Sequence, residues 1–229
     1  MIAETAIGLS MIGGAMHGAF HRNSFIYGRV LGRLPPQGRK VALTFDDGPN
    51  PDTTPRILDT LQECAVKATF FVLGRHVERW PALVDRMVRE GHQVGNHGYF
   101  HIKLHLRSPG YVRRDLVLGM RAIEQAGGTT PEFFRAPHGF RSPWVSAIAR
   151  SMGQRTIGWS VGVRDSDQPG VSEILDRTLS RTRPGSIILL HDGDGYNADA
   201  DRSQTAAALP LIITGLRDRG YEFVTLPAR

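Results

Sequence analysis

Short apolar runs alternate with amphipathic stretches along most of the chain. Lys40-Val-Ala-Leu-Thr-Phe45 reads as a short buried strand that ends on two carboxylates. From Thr53 to Glu63, Ile57, Leu58 and Leu61 fall at helical spacing behind a threonine suited to capping the start. A second strand is predicted over Ala68 to Leu73. A helix follows from Pro81 to Glu90, with proline at its first position and Gly91 at its end. Further strands are predicted at His92 to Gly95, Phe133-Phe134, Thr156 to Val161, Ser186 to Leu190 and Tyr221 to Leu226. Helices are predicted at Tyr111 to Gln125, Pro143 to Met152, Val171 to Thr182 and Thr205 to Arg219.

This alternation implies parallel strands joined by right-handed helical crossovers, about seven strands in all. An open doubly wound sheet and a distorted (β/α) barrel both satisfy it. The polar residues favour the barrel. Asp46-Asp47, His97, Arg135, Asp165 and His191 each fall at or just beyond the carboxyl end of a different predicted strand. A barrel brings those ends to one mouth, where such folds carry their active sites.

The 229 residues fit one domain, which we place at 40–229, behind an amino-terminal segment of residues 1–39. Within that segment residues 5–20 carry no acidic or basic charge but fall short of the roughly 20 apolar residues of a membrane span. Only Glu4 stands as a charge before them, which argues against a signal peptide. The expectation is packing on the domain or weak membrane association. Composition is that of a soluble globular protein, 41% hydrophobic and 22% charged. The single cysteine, Cys64, rules out a disulfide framework or thiolate metal site and is expected to be a small buried apolar residue. A net charge of +6 permits attraction to anionic surfaces, but the arginines are scattered, so no nucleic-acid partner is expected.

In Thr44-Phe-Asp-Asp-Gly-Pro49 two neighbouring strand residues point in opposite directions, so Asp46 and Asp47 can serve separate roles; either could instead cap the following turn. His97 and His101 have the spacing that puts two imidazoles on one side of a helical turn, and His105 repeats it, leaving His101 with His105 as an alternative pair. Two imidazoles and a carboxylate suit zinc with an open position, and iron, cobalt or manganese less specifically. Arg135 is either a rim salt bridge or a fixed cation beside Asp46. His191, at the end of Ile187-Ile-Leu-Leu190, can donate a proton near neutrality, with Asp165 able to raise its pKa. A non-haem iron oxygenase would use the same three ligands but leaves the second aspartate, Arg135 and His191 unexplained. The acidic stretch from His191 to Asp201 lacks the fifth and twelfth ligands of an EF-hand and reads as a mobile loop bordering the cleft.

Taken together, Thr44 to Pro49, the histidine pair, Arg135-Ala-Pro-His-Gly139 and Leu189-Leu-His191 resemble the polysaccharide deacetylase family, the NodB-homology domain of carbohydrate esterase family 4, from about Lys40 to Leu226. The resemblance implies a metal-dependent hydrolase that removes N-acetyl groups from a chitin-like or peptidoglycan-like glycan. Asp46 would be the base, His191 the acid, Asp47, His97 and His101 the ligands of a divalent cation, zinc foremost, with cobalt or manganese as substitutes. Arg135 would position Asp46, Asp165 would tune His191, and the backbone N–H of His138 would contact the oxyanion. Pro137, Trp159 and Leu189 would join His138 in binding substrate. A cell-envelope or extracytoplasmic setting is favoured over the cytoplasm. Deacylation of a lipid-linked or other N-acyl sugar, or a sugar-binding relative with weakened catalysis, are the alternatives. Three positions depart from the family pattern. Gly98 replaces a hydroxyl residue that supports the histidine loop, which predicts weaker metal binding; Gly162 replaces an aspartate, and Ser166 a tryptophan that walls the acyl pocket.

Overall fold

The computed structural model describes residues 13–14, 16–35 and 37–227. Its strands are β1 (Val30–Leu31), β2 (Lys40–Asp46), β3 (Thr69–Val72), β4 (Gln93–Asn96), β5 (Phe133–Phe134), β6 (Arg155–Ile157), β7 (Val161–Gly162), β8 (Ile187–His191) and β9 (Glu222–Phe223). Its helices are α1 (Thr53–Glu63), α2 (Gly74–Arg79), α3 (Pro81–Arg89), α4 (Pro109–Gly127), α5 (Pro143–Ser151), α6 (Val171–Arg181) and α7 (Ser203–Asp218).

Eight strands form one curled parallel sheet in the order β1-β6-β5-β4-β3-β2-β8-β7, and β9 pairs with the start of β2. The chain after β1 reaches back to the far side of the sheet, where Arg33 bridges Ser186 and Leu34 N–H donates to the Gly185 carbonyl at 2.9 Å. The result is the half-closed, distorted barrel that the alternating pattern predicts. It has more strands than expected because Thr156 to Val161 is two strands, β6 and β7, and because β1 pairs with β6.

Period-two alternation divides each inner strand between two environments. Val41, Leu43 and Phe45 pack outward with Phe70, Val72, Ile188 and Leu190 against the helices, whereas Ala42 joins Phe71 and Ile187 in an inner cluster. Thr44 and Asp46 therefore share the inner face with Ala42. Asp46 is the register partner of Phe71 on β3 and of His191 on β8.

Helix α1 keeps its expected bounds, with Ile57, Leu58 and Leu61 buried. Its start is satisfied differently. No threonine caps it; the Asn50 side-chain carbonyl accepts the N–H groups of Asp52 and Thr53 at 3.0 and 2.8 Å. Helix α2 is absent from the pattern-based reading, because its six residues include three arginines or histidines and too few apolar positions to show a period. Cys64 is half-buried just past α1, packed on the core edge rather than inside it.

Of the amino-terminal segment, residues 16–20 are helical and pack on the domain: Phe20 lies edge-on to Phe140 and His105, and Arg141 N–H donates to the Ala19 carbonyl at 3.0 Å. Residues 5–12 of the uncharged stretch lie outside the described residues. Among the described residues, no helix is long and apolar enough to cross a membrane.

Candidate active site

A cavity of about 320 Å³ opens at the carboxyl ends of the strands. Asp46, Asp47, His97, His101, His138, Trp159, Ser166, Leu189 and His191 all line it. Arg135, Pro137 and Asp165 are buried and stand behind its wall.

β2 delivers both aspartates. Asp46 ends the strand, and Asp47 adopts a left-handed conformation (φ 73°) that turns the chain, so both side chains face the cavity instead of opposite sides as strand alternation predicts, with Asp46 Oδ2 3.9 Å and Asp47 Oδ1 3.3 Å from His97 Nε2. The fully buried Arg135, just past β5, donates from Nη1 to Asp46 Oδ1 at 2.6 Å and to Thr44 Oγ at 2.8 Å, and from Nη2 to the Gly158 carbonyl at 3.0 Å. Its guanidinium also lies over Phe71, 4.1 Å from the ring centre. Arg135 is thus a buried clamp on Asp46, not a rim salt bridge. Asp46 Oδ2 is left facing His97 Nε2 at 3.9 Å.

Asp47, His97 and His101 bring their ligating atoms within 4.8 Å of one another, the arrangement of a site able to hold a metal ion. Asp47 Oδ1 lies 3.3 Å from His97 Nε2 and 3.2 Å from His101 Nε2, and it is buried without a hydrogen-bond partner. An orphaned carboxylate oxygen aimed between two imidazoles fits a cation. His97 Nδ1 meets the Arg135 carbonyl at 2.8 Å; a carbonyl only accepts, so Nδ1 carries the proton and the Nε2 lone pair points at Asp47. Burial opposes charge on Asp47, but His97 and His101 hold its carboxyl below the usual range. Burial drives His101 down to about 3, keeping it neutral and free to ligate.

The two histidines are not on a helical turn. His97 follows β4, and Gly98 (φ +83°) and His101 (φ 54°) take left-handed conformations that fold the loop back. His105 packs between Phe20 and Phe140, and the alternative pair of His101 with His105 is not assembled.

At the end of β8, Asp165 accepts twice from His191, the backbone N–H at 2.7 Å and ring Nδ1 at 2.9 Å, and takes a third bond from Thr205 Oγ at 2.8 Å. Burial would lower the His191 pKa, but the Asp165 carboxylate outweighs it and raises it to about 9. Its Nε2 is the ring atom left for the cavity.

His138 sits in a short 3-10 turn with φ 59°, and its Nε2 lies 3.0 Å from Tyr196 Oη. Trp159 packs beside Gly139 and Gly162, and its carbonyl accepts from Arg22 Nε at 3.0 Å and Asn23 Nδ2 at 2.9 Å. The loop after His191 borders the cleft as expected. It is tied down: Arg75 donates to the Gly195 carbonyl at 2.6 Å, Asn50 to the Ala198 and Ala200 carbonyls, and Arg202 to the Gly193 carbonyl.

Several residues escaped the sequence reading. Tyr196 lines the cavity and lies 5.3 Å from the His101 ring. His76 Nδ1 meets the Asp47 carbonyl at 2.9 Å, and Asp192 accepts from Thr54 Oγ at 2.6 Å while its N–H donates to the Asp46 carbonyl at 3.2 Å. Asp192, directly after His191, carried a positional signal; His76, in the unpatterned α2, carried none.

Residues 33–157 match the family described as polysaccharide deacetylase. A chitooligosaccharide deacetylase of Bradyrhizobium sp. (strain ANU 289) is 42% identical, covering 88% of this chain and 93% of its own. A peptidoglycan-N-acetylglucosamine deacetylase of Bacillus cereus is 38% identical over 87% of this chain and 92% of its own. Among solved structures, a peptidoglycan N-acetylglucosamine deacetylase in complex with a benzamide ligand superposes with a TM-score of 0.79 at 33% identity, covering 86% of this chain and 91% of that one. A CE4 family pseudoenzyme from Bacillus anthracis gives 0.78 at 31% identity, over 85% and 66%.

Proposed function

The chain belongs to the polysaccharide deacetylase family, and from that premise we propose that it hydrolyses the N-acetyl groups of a chitin-like or peptidoglycan-like glycan built on N-acetylglucosamine. Likeness of fold to a pseudoenzyme means that architecture alone does not carry this reading. One observation does: Asp46, the Asp47–His97–His101 cluster and His191 line a single cavity.

A divalent cation held by Asp47, His97 and His101, zinc foremost for this hard-to-borderline set of two imidazoles and one carboxylate, would acidify a water and polarise the acyl oxygen. This chain's own residues do the rest. Asp46 accepts the water's proton on Oδ2, the oxygen that Arg135 leaves open. Arg135 fixes the plane of that carboxylate. His191, kept protonated by Asp165, gives its Nε2 proton to the departing sugar amine, so acetate and a free amine leave. The backbone N–H of His138 would contact the acyl oxygen as charge grows there. Trp159 and Leu189 supply the apolar wall that Ser166 does not, and Pro137 backs the turn that carries His138.

A peptidoglycan-like substrate lies in the envelope, and on that reading we propose that the protein acts at the cell envelope or on its extracytoplasmic face. A lipid-linked or other N-acyl sugar would meet the same acyl pocket and differ only beyond it. The test is acetate release from chitooligosaccharides and peptidoglycan fragments with zinc, cobalt, manganese or chelator. Metal-dependent release from either supports the reading; no release with any metal from either ends it.

A further inference from the structure

Nothing at position 98 can supply the hydroxyl that the family pattern leads one to expect, and the structure places a different group there. Asp115, on the inner face of α4 and 1% exposed, projects its carboxylate into the loop between the two histidines. Its Oδ2 accepts from Tyr99 N–H at 3.0 Å and its Oδ1 from Phe100 N–H at 3.3 Å. These are the two residues immediately before His101. A Cβ built on Gly98 would fall 2.5 Å from Asp115 Oδ2, so the carboxylate fills the space that a side chain at 98 would need. The left-handed φ of +83° at Gly98 excludes most side chains independently.

The same short loop is fixed from the other side. Asn96 Oδ1 accepts Gly98 N–H at 2.9 Å, and Gly74 N–H donates to the Gly98 carbonyl at 3.0 Å. Between Gly98 and His101, however, Asp115 is the side chain that holds the backbone N–H groups.

We propose that Asp115 is the positioning residue for His101, a helix-borne carboxylate that sets the His97–His101 separation in place of a loop hydroxyl and that requires glycine at 98. This rests on the metal-site reading above. It sets against the expectation that Gly98 by itself weakens the site a support that glycine makes room for. Loss of a group that orients a ligand lowers metal affinity by on the order of ten- to hundredfold.

The experiment measures zinc affinity by competition with a chromophoric chelator, alongside thermal unfolding of the metal-free protein, for the full chain and for Asp115→Ala, Asp115→Asn, Gly98→Ser and the Gly98→Ser/Asp115→Ala double variant. Asp115→Ala should weaken zinc binding at least about tenfold. Asp115→Asn, which keeps one acceptor oxygen, should fall between it and the parent, and it carries the test if the alanine variant fails to fold. Gly98→Ser should weaken zinc binding more in the parent than in the Asp115→Ala background, where the clash is gone and only the left-handed backbone opposes a side chain. Zinc affinity within twofold of the parent in the Asp115 variants, with only the metal-free unfolding temperature lowered, would make Asp115 a structural residue and overturn the proposal. So would an equal effect of Gly98→Ser in both backgrounds. A parent chain that binds no zinc would instead defeat the metal-site reading itself.

Discussion

Asp46 of β2 and His191 of β8 are register partners on adjacent parallel strands, so the proposed base and acid share one rim at a spacing set by sheet hydrogen bonds rather than by loops. Asn at 46 keeps the shape and the Arg135 contact but cannot take a proton. Asp46→Asn should lower turnover by roughly 10²–10⁴-fold while zinc content, measured by elemental analysis, stays at the parent level. Near-parental turnover would remove Asp46 from the mechanism.

With His191 as the proposed acid, the Asp165–His191 pair should set the alkaline side of the activity profile. The His191 pKa is raised to about 9, so the protonated acid is present below that pH and is lost as pH climbs through it. The same charge pair contributes stability that is complete below the ordinary histidine pKa of about 6.5 and disappears as pH rises through 9. Asp165→Asn should move the alkaline limb of kcat to lower pH and flatten the alkaline loss of stability. An unmoved limb in a pH–rate series would show that another group is the acid.

Arg135 ties stability to the proposed base. It is wholly buried, and its removal strands Asp46 without a partner. Arg135→Ala should cost roughly 3–5 kcal/mol in denaturant unfolding, the range for breaking a buried ion pair from one side. A cost below about 1 kcal/mol, the range of exposed pairs, would mean that water replaces the guanidinium.

The rim loop presses on the proposed metal-binding cluster through a residue with no side chain. A Cβ at Gly195 would fall 1.9 Å from His101 Nδ1. Gly195→Ala should therefore displace either the loop or the imidazole and weaken zinc binding about tenfold or more, the scale for disturbing a ligand's support. Unchanged zinc affinity together with a raised KM would show that the loop yields and the histidine does not.

Chelation followed by metal return tests the cluster as a unit. The His97→Ala/His101→Ala variant should retain no zinc after dialysis, while the chelated parent should recover activity on adding zinc. Full zinc retention by the double variant would place the ion elsewhere.

Much of this was legible in the chain. The alternation of Lys40 to Phe45 with Thr53 to Glu63, and its later repeats, gave the parallel barrel, because buried strands and amphipathic helices leave periodic signatures. The polar residues at strand ends marked the mouth for the same reason. What stayed hidden depends on contacts between distant segments. The break at Gly158 to Ser160 between β6 and β7 is fixed by the Leu31 and Ile187 carbonyls, which accept Gly158 and Ser160 N–H groups, not by local propensity. The cap of α1 came from Asn50, whose side chain also reaches the rim loop. The four-residue histidine spacing suggested a helical turn, yet left-handed backbone at Gly98 and His101 delivers the same convergence. Spacing picked out the two histidines that converge on Asp47 and misjudged the backbone that aims them.

The match to the polysaccharide deacetylase family model begins at residue 33, but the backing of Trp159 begins earlier, with Arg22 and Asn23 gripping its carbonyl and β1 paired along β6. Anyone starting an expression clone at residue 33 would cut away the brace behind that indole while sparing every proposed metal ligand. Such a shortened protein would load its ion normally yet grip its sugar poorly, and a screen scored on metal content alone would pass it as sound.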